Sequence, residues 1–398
     1  MTLLTHLPAD WRAGTFVGRI ATPAGPTPIV ISGGRVRDVS RVSATVSELL
    51  NQWNGAVPAG EDLGPLEQLP IAAAFRSEPP HGQELRLMAP FDLQCIKACG
   101  VTFAVSAVER VIEERARGDY AKAQSIRDAL GARVGADIRS VKPGSPTAQR
   151  LKEALIADGL WSQYLEVAIG PDAEVFTKAP VLSSVGWGDW IGVRRESQWN
   201  NPEPEIVLAC DATGRTLGAA LGNDVNLRDI EGRSALLLGK AKDNNASCAI
   251  GPFIRMFDAT FGIDEVRGAV VALQVAGEDG YELEGSSSMS LISRDPLELV
   301  EQTMSQHQYP DGFALFLGTM FAPTEDREVA GRGFTHKHGD VVRVSSPALG
   351  TLENKLTTSD QAPPWSLGIG QLMRNLAGRG LLAAASGRDA EQKSQTQK

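Results

Sequence analysis

The sequence is poor in the residues that build disulfide frameworks, nucleic-acid interfaces and membrane spans. Its four cysteines are too few and too scattered for a disulfide framework or for a zinc site of paired C-x-x-C elements. They are Cys95, Cys99, Cys210 and Cys248. The net charge is -9 and no block of lysine or arginine occurs, which argues against nucleic acid or an anionic membrane as a partner. No run of about 18 apolar residues exists, so no transmembrane helix is predicted.

The remaining composition is typical of a globular protein with a large buried core. Hydrophobic residues make up 42% of the 398 residues, which is ample for one large or two medium domains. The first 14 residues contain no basic leader followed by an apolar core, so we expect a cytoplasmic protein. The negative charge does not exclude an anionic substrate, because a bound metal ion would reverse the sign of the local field.

Short segments with clear patterns predict a mixed α+β fold that is rich in strands. Residues 15–45 alternate Val/Ile runs with Gly and Pro turns, the pattern of a small antiparallel unit. Helical spacing follows over 104–131 and again over 147–159. Short β runs fill the chain after residue 165, including 266–275, 281–285 and 341–345, with a helix at 296–307.

These segments predict three regions along the chain. A proline-rich stretch before residue 90 marks a boundary, and the polar end of the chain lacks the apolar residues that a packed core needs. We therefore predict a small N-terminal α+β domain, a catalytic domain built as an irregular β roll or barrel, and a disordered tail, over residues 1–90, 91–385 and 386–398.

Three acidic residues, Glu203, Glu205 and Asp224, are the most informative feature of the sequence. Glu203 and Glu205 project from the same face of a predicted strand, because side chains alternate along a strand. The turn sequence at 211–215 predicts an antiparallel hairpin in which opposed residue numbers sum to about 427, so that Glu203 faces Asp224. Three carboxylates this close cannot all stay ionised without a cation, which predicts a site for Mg2+ or another divalent ion such as Mn2+.

The segments around this hairpin resemble the fumarylacetoacetate hydrolase family. The shared order is E-P-E, then G-N-D-V-x-x-R-D, then a lysine and a G-P, and further matches are F-T-K-A-P at 176–180, L-G-T at 317–319 and G-D-V-V at 339–342. Within the family the chain is similar to the 2-keto-3-deoxy sugar acid dehydratases. That similarity is carried by G-V-T-F at 100–103, R-D-I-E-G at 228–232, A-K at 241–242 and S-C-A-I-G-P at 247–252.

The resemblance implies a catalytic base at Lys242. In the family a lysine nine residues before the Gly of the G-P pair lies beside the metal, and counting back from Gly251 leads to Lys242 rather than Lys240. A lysine near a dication has a lowered pKa, because a like charge disfavours its charged form, and it could then act as a base. From composition alone, a solvated surface lysine is the competing interpretation.

The region after Gly100 departs from the pattern of the family's hydrolases. They resemble G-x-N-Y-x-x-H-x-x-E here, whereas this chain has Ser106 where their water-activating His stands, and its five histidines lie elsewhere. The dehydratases have a pair of glutamates at about this point, which implies that Glu113 or Glu114 protonates the leaving hydroxyl. The spacing of Glu113 with Arg117 also suits an exposed helix pair, so a surface role stays open.

The resemblance also implies several substrate contacts. Gly318 and Thr319 follow a predicted buried strand, and in the family this Gly-Thr pair presents neutral donors to a substrate carboxylate. Glu231 stands where many hydrolases have a glutamine, in a segment that is similar to the dehydratases. We include Ser106 and Glu231 with Gly318 and Thr319 as candidate substrate-binding residues.

Together these features predict a Mg2+-dependent dehydratase of a 2-keto-3-deoxy aldonic acid, with a pentonate as substrate and 2,5-dioxopentanoate as product. In this hypothesis Lys242 removes a C3 proton and Glu114 protonates the departing C4 hydroxyl. Two alternatives stay open: an acylpyruvate hydrolase that cleaves a carbon-carbon bond in a 2,4-diketo acid, and a catalytically silent family member that only binds a metal. The resemblance alone implies a homodimer or a higher homo-oligomer.

Overall fold

The computed structural model of the protein describes most of the chain. It covers residues 2–76, 85–117, 119, 121–123, 125–126, 141–321, 323, 325–327 and 333–382. The tail predicted over 386–398 and part of the helix predicted over 104–131 lie outside these residues. Among the described helices, none has the length and apolar character needed to cross a bilayer.

The described helices are short. They are α1 (Val46–Asn51), α2 (Ala104–Ala116), α3 (Pro146–Ala157), α4 (Gln163–Ile169), α5 (Arg228–Glu231), α6 (Leu238–Lys242), α7 (Ile263–Gly268), α8 (Pro296–Met304) and α9 (Ile369–Gly378). Two of them begin with a proline behind a capping side chain: Ser145 accepts a hydrogen bond from the Ala148 N–H before α3, and Asp295 accepts one from Leu297 before α8. Capping oxygens satisfy N–H groups that the first helical turn leaves unpaired.

Strands make up the larger part of the fold. They are β1 (Thr15–Thr22), β2 (Gly25–Ser32), β3 (Arg35–Asp38), β4 (Glu61–Pro65), β5 (Arg86–Met88), β6 (Cys95–Gly100), β7 (Glu174–Ala179), β8 (Trp190–Val193), β9 (Asn200–Asn201), β10 (Pro204–Cys210), β11 (Thr216–Asp224), β12 (Asn226–Leu227), β13 (Cys248–Met256), β14 (Val270–Ala276), β15 (Glu282–Ser288), β16 (Phe313–Phe316), β17 (Val341–Ser346) and β18 (Gly350–Thr358).

Within the described residues the strands form two large sheets and one small pair. The larger sheet has the order β4-β3-β2-β1-β13-β11-β10-β16-β6-β7, with β5 pairing to β1, and the second has the order β15-β14-β17-β18-β8. The pair β9 and β12 lies beside the end of the central hairpin. Every residue of β10 and β13 is buried, so the hairpin that carries the acidic residues runs through the core.

The sequence predicted the type of most elements correctly. The antiparallel unit over residues 15–45, the helices at 147–159 and 296–307, and the mixed β-rich class are confirmed. The strand predicted over 266–275 is wrong at its start, because α7 occupies residues up to Gly268. The boundary at residue 90 stays a prediction, although β1 pairs directly with β13, at Phe16 with Arg255, in the same sheet.

Candidate metal centre and active site

The three acidic residues converge at the open end of the β10/β11 hairpin. Pro204 pairs with Asn223 and Glu205 with Gly222, so the register sum of 427 predicted from the turn is confirmed. The Asp224 N–H donates to the Glu203 carbonyl oxygen at 3.0 Å, as the predicted pairing requires. One carboxylate oxygen from each of Glu203, Glu205 and Asp224 lies within 4.8 Å of the other two, and all three residues are buried.

Residues of the G-N-D segment hold this end of the hairpin. The side-chain oxygen of Asn223 accepts a hydrogen bond from the Glu203 N–H at 3.0 Å, which fixes the backbone just before β10. At Gly222 a Cβ atom would lie 2.3 Å from the Phe316 ring, so only glycine lets β16 pack this close. The acids are therefore positioned by a rigid core rather than by a loop.

Three cationic side chains contact the acidic cluster. Lys242, at the end of α6, donates to Glu203 and lies 3.0 Å from Asp224 Oδ2. Lys178 on β7 is fully buried, lies 2.7 Å from Asp224 Oδ1, and donates to the Lys242 carbonyl oxygen. Arg110 on α2 also donates to Glu203. Lys178 therefore links β7 to Asp224 and to the end of α6.

The charges around the cluster move its pKa values in opposite directions. Burial raises the pKa of Glu203, but Lys242 and Arg110 outweigh it and hold the value at about 2. Burial and the negative charges of Asp224 and Glu203 raise the pKa of Glu205 well above its usual range. Burial lowers the pKa of Lys242, but the negative charges of Asp224 and Glu203 raise it by more, so the net shift is upward.

The upward pKa shift of Lys242 is opposite to the lowered value expected from the sequence. The protein groups alone place two carboxylates against its ammonium, and these stabilise the charged form. The expectation assumed a dication on the same carboxylates, which would act in the other direction. The carboxylates of the acidic cluster therefore favour positive charge beside them.

The residues present fit a hard divalent ion. Three buried carboxylates at one end of the β10/β11 hairpin offer the oxygen ligands that Mg2+ takes in proteins. Glu205 receives neutral donors, the Gly318 N–H at 2.8 Å and the Thr319 hydroxyl at 3.2 Å, and repulsion from the other two acids raises its pKa. A cation bound between the three carboxylates would relieve that repulsion, because it would compensate the negative charge that the nearby lysines do not neutralise.

A narrow cleft opens beside the acidic cluster, and Glu174 at the start of β7 is one of its walls. The other lining residues include Cys99, Gly100, Val101, Ser106, Arg110, Phe176, Glu231, Lys242 and Thr319. Burial raises the pKa of Glu174 to about 7, and the negative charge of Glu231 adds to the effect. Glu174 is therefore a carboxyl that can carry a proton near neutral pH.

Glycine at position 100 makes room for the Glu174 carboxyl. The two residues are paired across β6 and β7. A Cβ atom at Gly100 would lie 2.0 Å from Glu174 Oε2, a distance that no side chain could accept. The glycine of the G-V-T-F segment thus lets the carboxyl fold back over its neighbouring strand and reach the cleft.

The structure separates the two glutamates that the sequence assigned to acid chemistry. Glu113 is buried and forms ion pairs with Arg110 at 2.7 Å and with Arg228 at 3.1 Å. Glu114 accepts hydrogen bonds from Ser162 and from Gln163 of α4. Neither is among the described residues that line the cleft, whereas Arg110 of the same helix lines it and contacts Glu203.

Three of the predicted substrate-binding residues, Ser106, Glu231 and Thr319, line the cleft, and the hydrogen bonds of all four go to protein partners. Gly318 and Thr319 donate to Glu205. Ser106 donates to the Thr319 carbonyl oxygen at 2.6 Å, so it supports the Gly-Thr segment. Glu231 is buried and forms an ion pair with Arg110.

Sequence reasoning missed Glu174, Arg110 and Lys178 as site residues. Glu174 stands two residues before F-T-K-A-P. A charged residue at the start of an apolar run could have indicated a buried carboxyl there. Lys178 is the lysine of that same motif, and a lysine inside a buried strand needs partners for its charge. For Arg110, nothing in the sequence distinguished it from the other charged residues of α2.

Comparisons with known proteins place the chain among related sequences and folds. Residues 200–357 match the family described as Fumarylacetoacetate (FAA) hydrolase C-terminal. The 2-dehydro-3-deoxy-D-arabinonate dehydratase of Saccharolobus solfataricus is 30% identical over 229 residues, which are 54% of this chain and 74% of that relative. The probable 2-keto-3-deoxyxylonate dehydratase of Haloferax volcanii is 32% identical over 195 residues, which are 49% of this chain and 64% of that relative.

Solved structures share the fold. A 2-keto-3-deoxy-D-arabinonate dehydratase complexed with magnesium and 2,5-dioxopentanoate superposes with a TM-score of 0.58 at 20% identity. The match covers 86% of this chain and 99% of that one. At this level of identity the comparison establishes a common architecture over most of the chain.

Proposed function

The chain belongs to the fumarylacetoacetate hydrolase family, and from its site we propose that it is a divalent-metal-dependent hydro-lyase that dehydrates a 2-keto-3-deoxy sugar acid. The observation that carries the proposal is that Lys242 and Glu174 line one cleft that also holds the acidic cluster. Elimination of water needs a base at carbon and an acid at the leaving hydroxyl. None of the described residues that line the cleft is a histidine, so the water-activating base of the hydrolases has no counterpart there.

Glu203, Glu205 and Asp224 would hold the divalent ion, for which we propose Mg2+. When bound, such an ion polarises a carbonyl oxygen and stabilises negative charge that develops on it. Gly318 and Thr319 would keep Glu205 oriented through the two hydrogen bonds that they donate to it. We propose this positioning role for them beside the substrate contacts that the family resemblance implies.

Lys242 would accept the C3 proton of the substrate at its Nζ atom. Its ammonium is now shared between Glu203 and Asp224, and it must lose a proton before it can act as a base. Cationic charge on those two carboxylates would reduce the attraction that keeps Lys242 protonated. The position of Lys242, buried beside the ligands, therefore makes its basicity depend on what the ligands hold.

Glu174 would donate a proton to the C4 hydroxyl, which leaves as water. A raised pKa of about 7 means that a substantial fraction of Glu174 carries a proton at neutral pH, as a general acid requires. The C3–H and C4–O bonds break and leave a C3=C4 double bond. Transfer of a proton from C5 to C3 then gives an enol between C4 and C5, and this enol gains a proton at C4 and loses its O–H proton to become the C5 aldehyde. For a 2-keto-3-deoxypentonate, this sequence gives 2,5-dioxopentanoate.

Arg110 would bind the carboxylate of the substrate. Its guanidinium donates to Glu113, Glu203 and Glu231, and it reaches into the cleft where an anionic substrate must enter. Burial lowers the pKa of Arg110, but these three carboxylates raise it well above its ordinary value, so the guanidinium stays charged. Arginine is suited to planar, two-point recognition of a carboxylate.

The proposal is tested by offering two substrates to one protein. Wild-type protein with Mg2+ is incubated with 2-keto-3-deoxypentonate and, separately, with acetopyruvate, while aldehyde and pyruvate are followed. We expect aldehyde from the sugar acid, no pyruvate from acetopyruvate, and loss of the reaction when EDTA removes the metal. Pyruvate formation would instead support the acylpyruvate hydrolase, and no reaction with either compound would support the catalytically silent alternative.

The assembly state and the cellular location are two further proposals. We propose a homodimer or a higher homo-oligomer on the family resemblance, and sedimentation velocity of the purified protein would measure the assembly state. We also propose a cytoplasmic location, which cell fractionation would test.

A further inference from the structure

A second pocket lies outside the active-site cleft and has a volume of about 190 Å³. Its walls come from β1, from the loop before β8, and from the segment that precedes α9. The volume is far more than the roughly 10–15 Å³ that one water needs, and less than the roughly 300 Å³ at which drug-sized pockets begin. The size therefore suits a small metabolite rather than a nucleotide.

The feature that sets this pocket apart is the side chain of Arg19. Arg19 is only 2% exposed and lines the pocket. Its Nε and Nη1 atoms are buried and receive no hydrogen-bond partner from the described residues. An arginine in this state is rare, because a buried charge normally has a carboxylate or several carbonyl oxygens against it.

Asp92 is the acid that interacts electrostatically with Arg19, but its oxygens bind other groups. Asp92 attracts the guanidinium and partly offsets the burial that lowers the pKa of Arg19. Its carboxylate oxygens, however, accept the N–H groups of Val46 and Ser47 at the start of α1, at 2.6 and 3.0 Å. Asp92 thus caps a helix, and two nitrogen donors of Arg19 keep no partner among the described residues.

The lining of the pocket also includes a carboxylate and two indole rings. Asp189 accepts the Gly186 N–H through Oδ2 at 3.0 Å, and no described residue donates to its Oδ1. Trp190 and Trp365 contribute apolar surface, and Trp365 is 48% exposed at the mouth. A dianion such as phosphate would meet Asp189 with unfavourable charge, whereas the hydroxyl of a monoanion could donate to it.

We propose that this pocket, which we call the Arg19 pocket, binds a small hydroxycarboxylate whose carboxylate contacts Arg19 and whose hydroxyl group donates to Asp189. The two contacts are complementary, since Arg19 supplies donors and Asp189 supplies an acceptor. The site is separate from the acidic cluster and shares no lining residue with the cleft that contains it.

The experiment measures binding of L-threonate, a four-carbon hydroxy acid, by tryptophan emission and by thermal unfolding. Wild-type protein is titrated with Mg2+ present and again in EDTA, so that chelation at the acidic cluster can be recognised. Butyrate, which lacks the hydroxyl groups, and inorganic phosphate are titrated in parallel. We expect threonate to change the emission and raise the Tm equally in both buffers, and to bind at least tenfold more tightly than butyrate or phosphate.

Two variants and one control locate the binding. Arg19→Met keeps an unbranched apolar side chain but removes the guanidinium, and it should weaken threonate binding at least tenfold. Arg37→Met replaces an exposed arginine on β3 and should bind threonate like the wild type. Asp189→Asn leaves Arg19 in place and should reduce the preference for threonate over butyrate, which keeps the test valid if Arg19→Met fails to fold. Unchanged binding by both variants, a response that disappears in EDTA, or no binding by the wild type would overturn the proposal.

Discussion

Replacing Glu174 by glutamine should stop elimination while leaving the first proton transfer intact. The amide has nearly the shape of the carboxyl, so it should occupy the space above Gly100, where a Cβ atom would come within 2.0 Å of Glu174 Oε2. It cannot supply a proton to the C4 hydroxyl, however. Loss of a general acid costs about two to four orders of magnitude in rate, or roughly 3–5 kcal/mol of transition-state stabilisation.

Two measurements separate this role from a structural one. The first is kcat for aldehyde formation with Mg2+ present, and the second is exchange of the C3 protons with deuterated water, followed by NMR. Glu174→Gln should retain C3 exchange, since Lys242 is untouched, and should lose aldehyde formation. Glu114→Gln is the matched control: its side chain bonds to Ser162 and Gln163, and we expect near-normal kcat. An active Glu174→Gln beside an inactive Glu114→Gln would refute the reasoning and return the acid role to α2.

The remaining predictions concern the base, the ligands, the serine and one buried acid. Lys242→Met should abolish C3 exchange, because no other side chain is proposed to take that proton, and NMR in deuterated water measures it. Asp224→Asn should lose bound metal and turnover together while circular dichroism stays unchanged, since each ligand supplies charge that the other two cannot replace; full metal content with normal turnover would contradict the site. Ser106→Ala should keep most dehydratase activity in a kcat/KM assay, because elimination needs no activated water. Burial raises the pKa of Asp189 to about 6 from its ordinary value near 3.9, so the folded state holds this proton more tightly and the free energy of unfolding should fall by about 1–3 kcal/mol as pH rises from 4 to 7. Urea titrations of the wild type and Asp189→Asn should show that this part of the pH dependence is lost in the variant.

The position of the acidic cluster could be predicted from sequence because strand geometry has few alternatives. Side chains alternate with a period of two, and the short turn at 211–215 permits one register, so Glu203 had to face Asp224 once the hairpin was assumed. The pairing holds along the strands until a bulge between Ala209 and Cys210. The relative positions of residues within this hairpin could therefore be predicted from the sequence.

The acid on the other side of the cleft could not be predicted in the same way. Glu174 reaches the cleft only because β7 pairs with β6, and that contact joins residues far apart in the chain. On α2, the residues Glu113 and Glu114 are adjacent in sequence but project in different directions, and which one faces the core depends on how the helix packs. A helix predicted over 104–131 also gave no reason to expect that α2 ends at Ala116, where Arg117 adopts a left-handed conformation with φ 53°.

The size of the cleft adds a requirement to the proposed reaction. Its free volume is about 20 Å³, enough for one water but not for a five-carbon acid. Arg110 occupies the missing space, because its guanidinium bridges Glu203 on one side to Glu113 and Glu231 on the other. A substrate carboxylate can enter only if the contact between Arg110 and Glu203 opens, and the other two carboxylates would then keep the guanidinium at the mouth of the cleft. Since Glu203 is also a proposed metal ligand, competition for its oxygens would couple ion binding to the opening of the cleft.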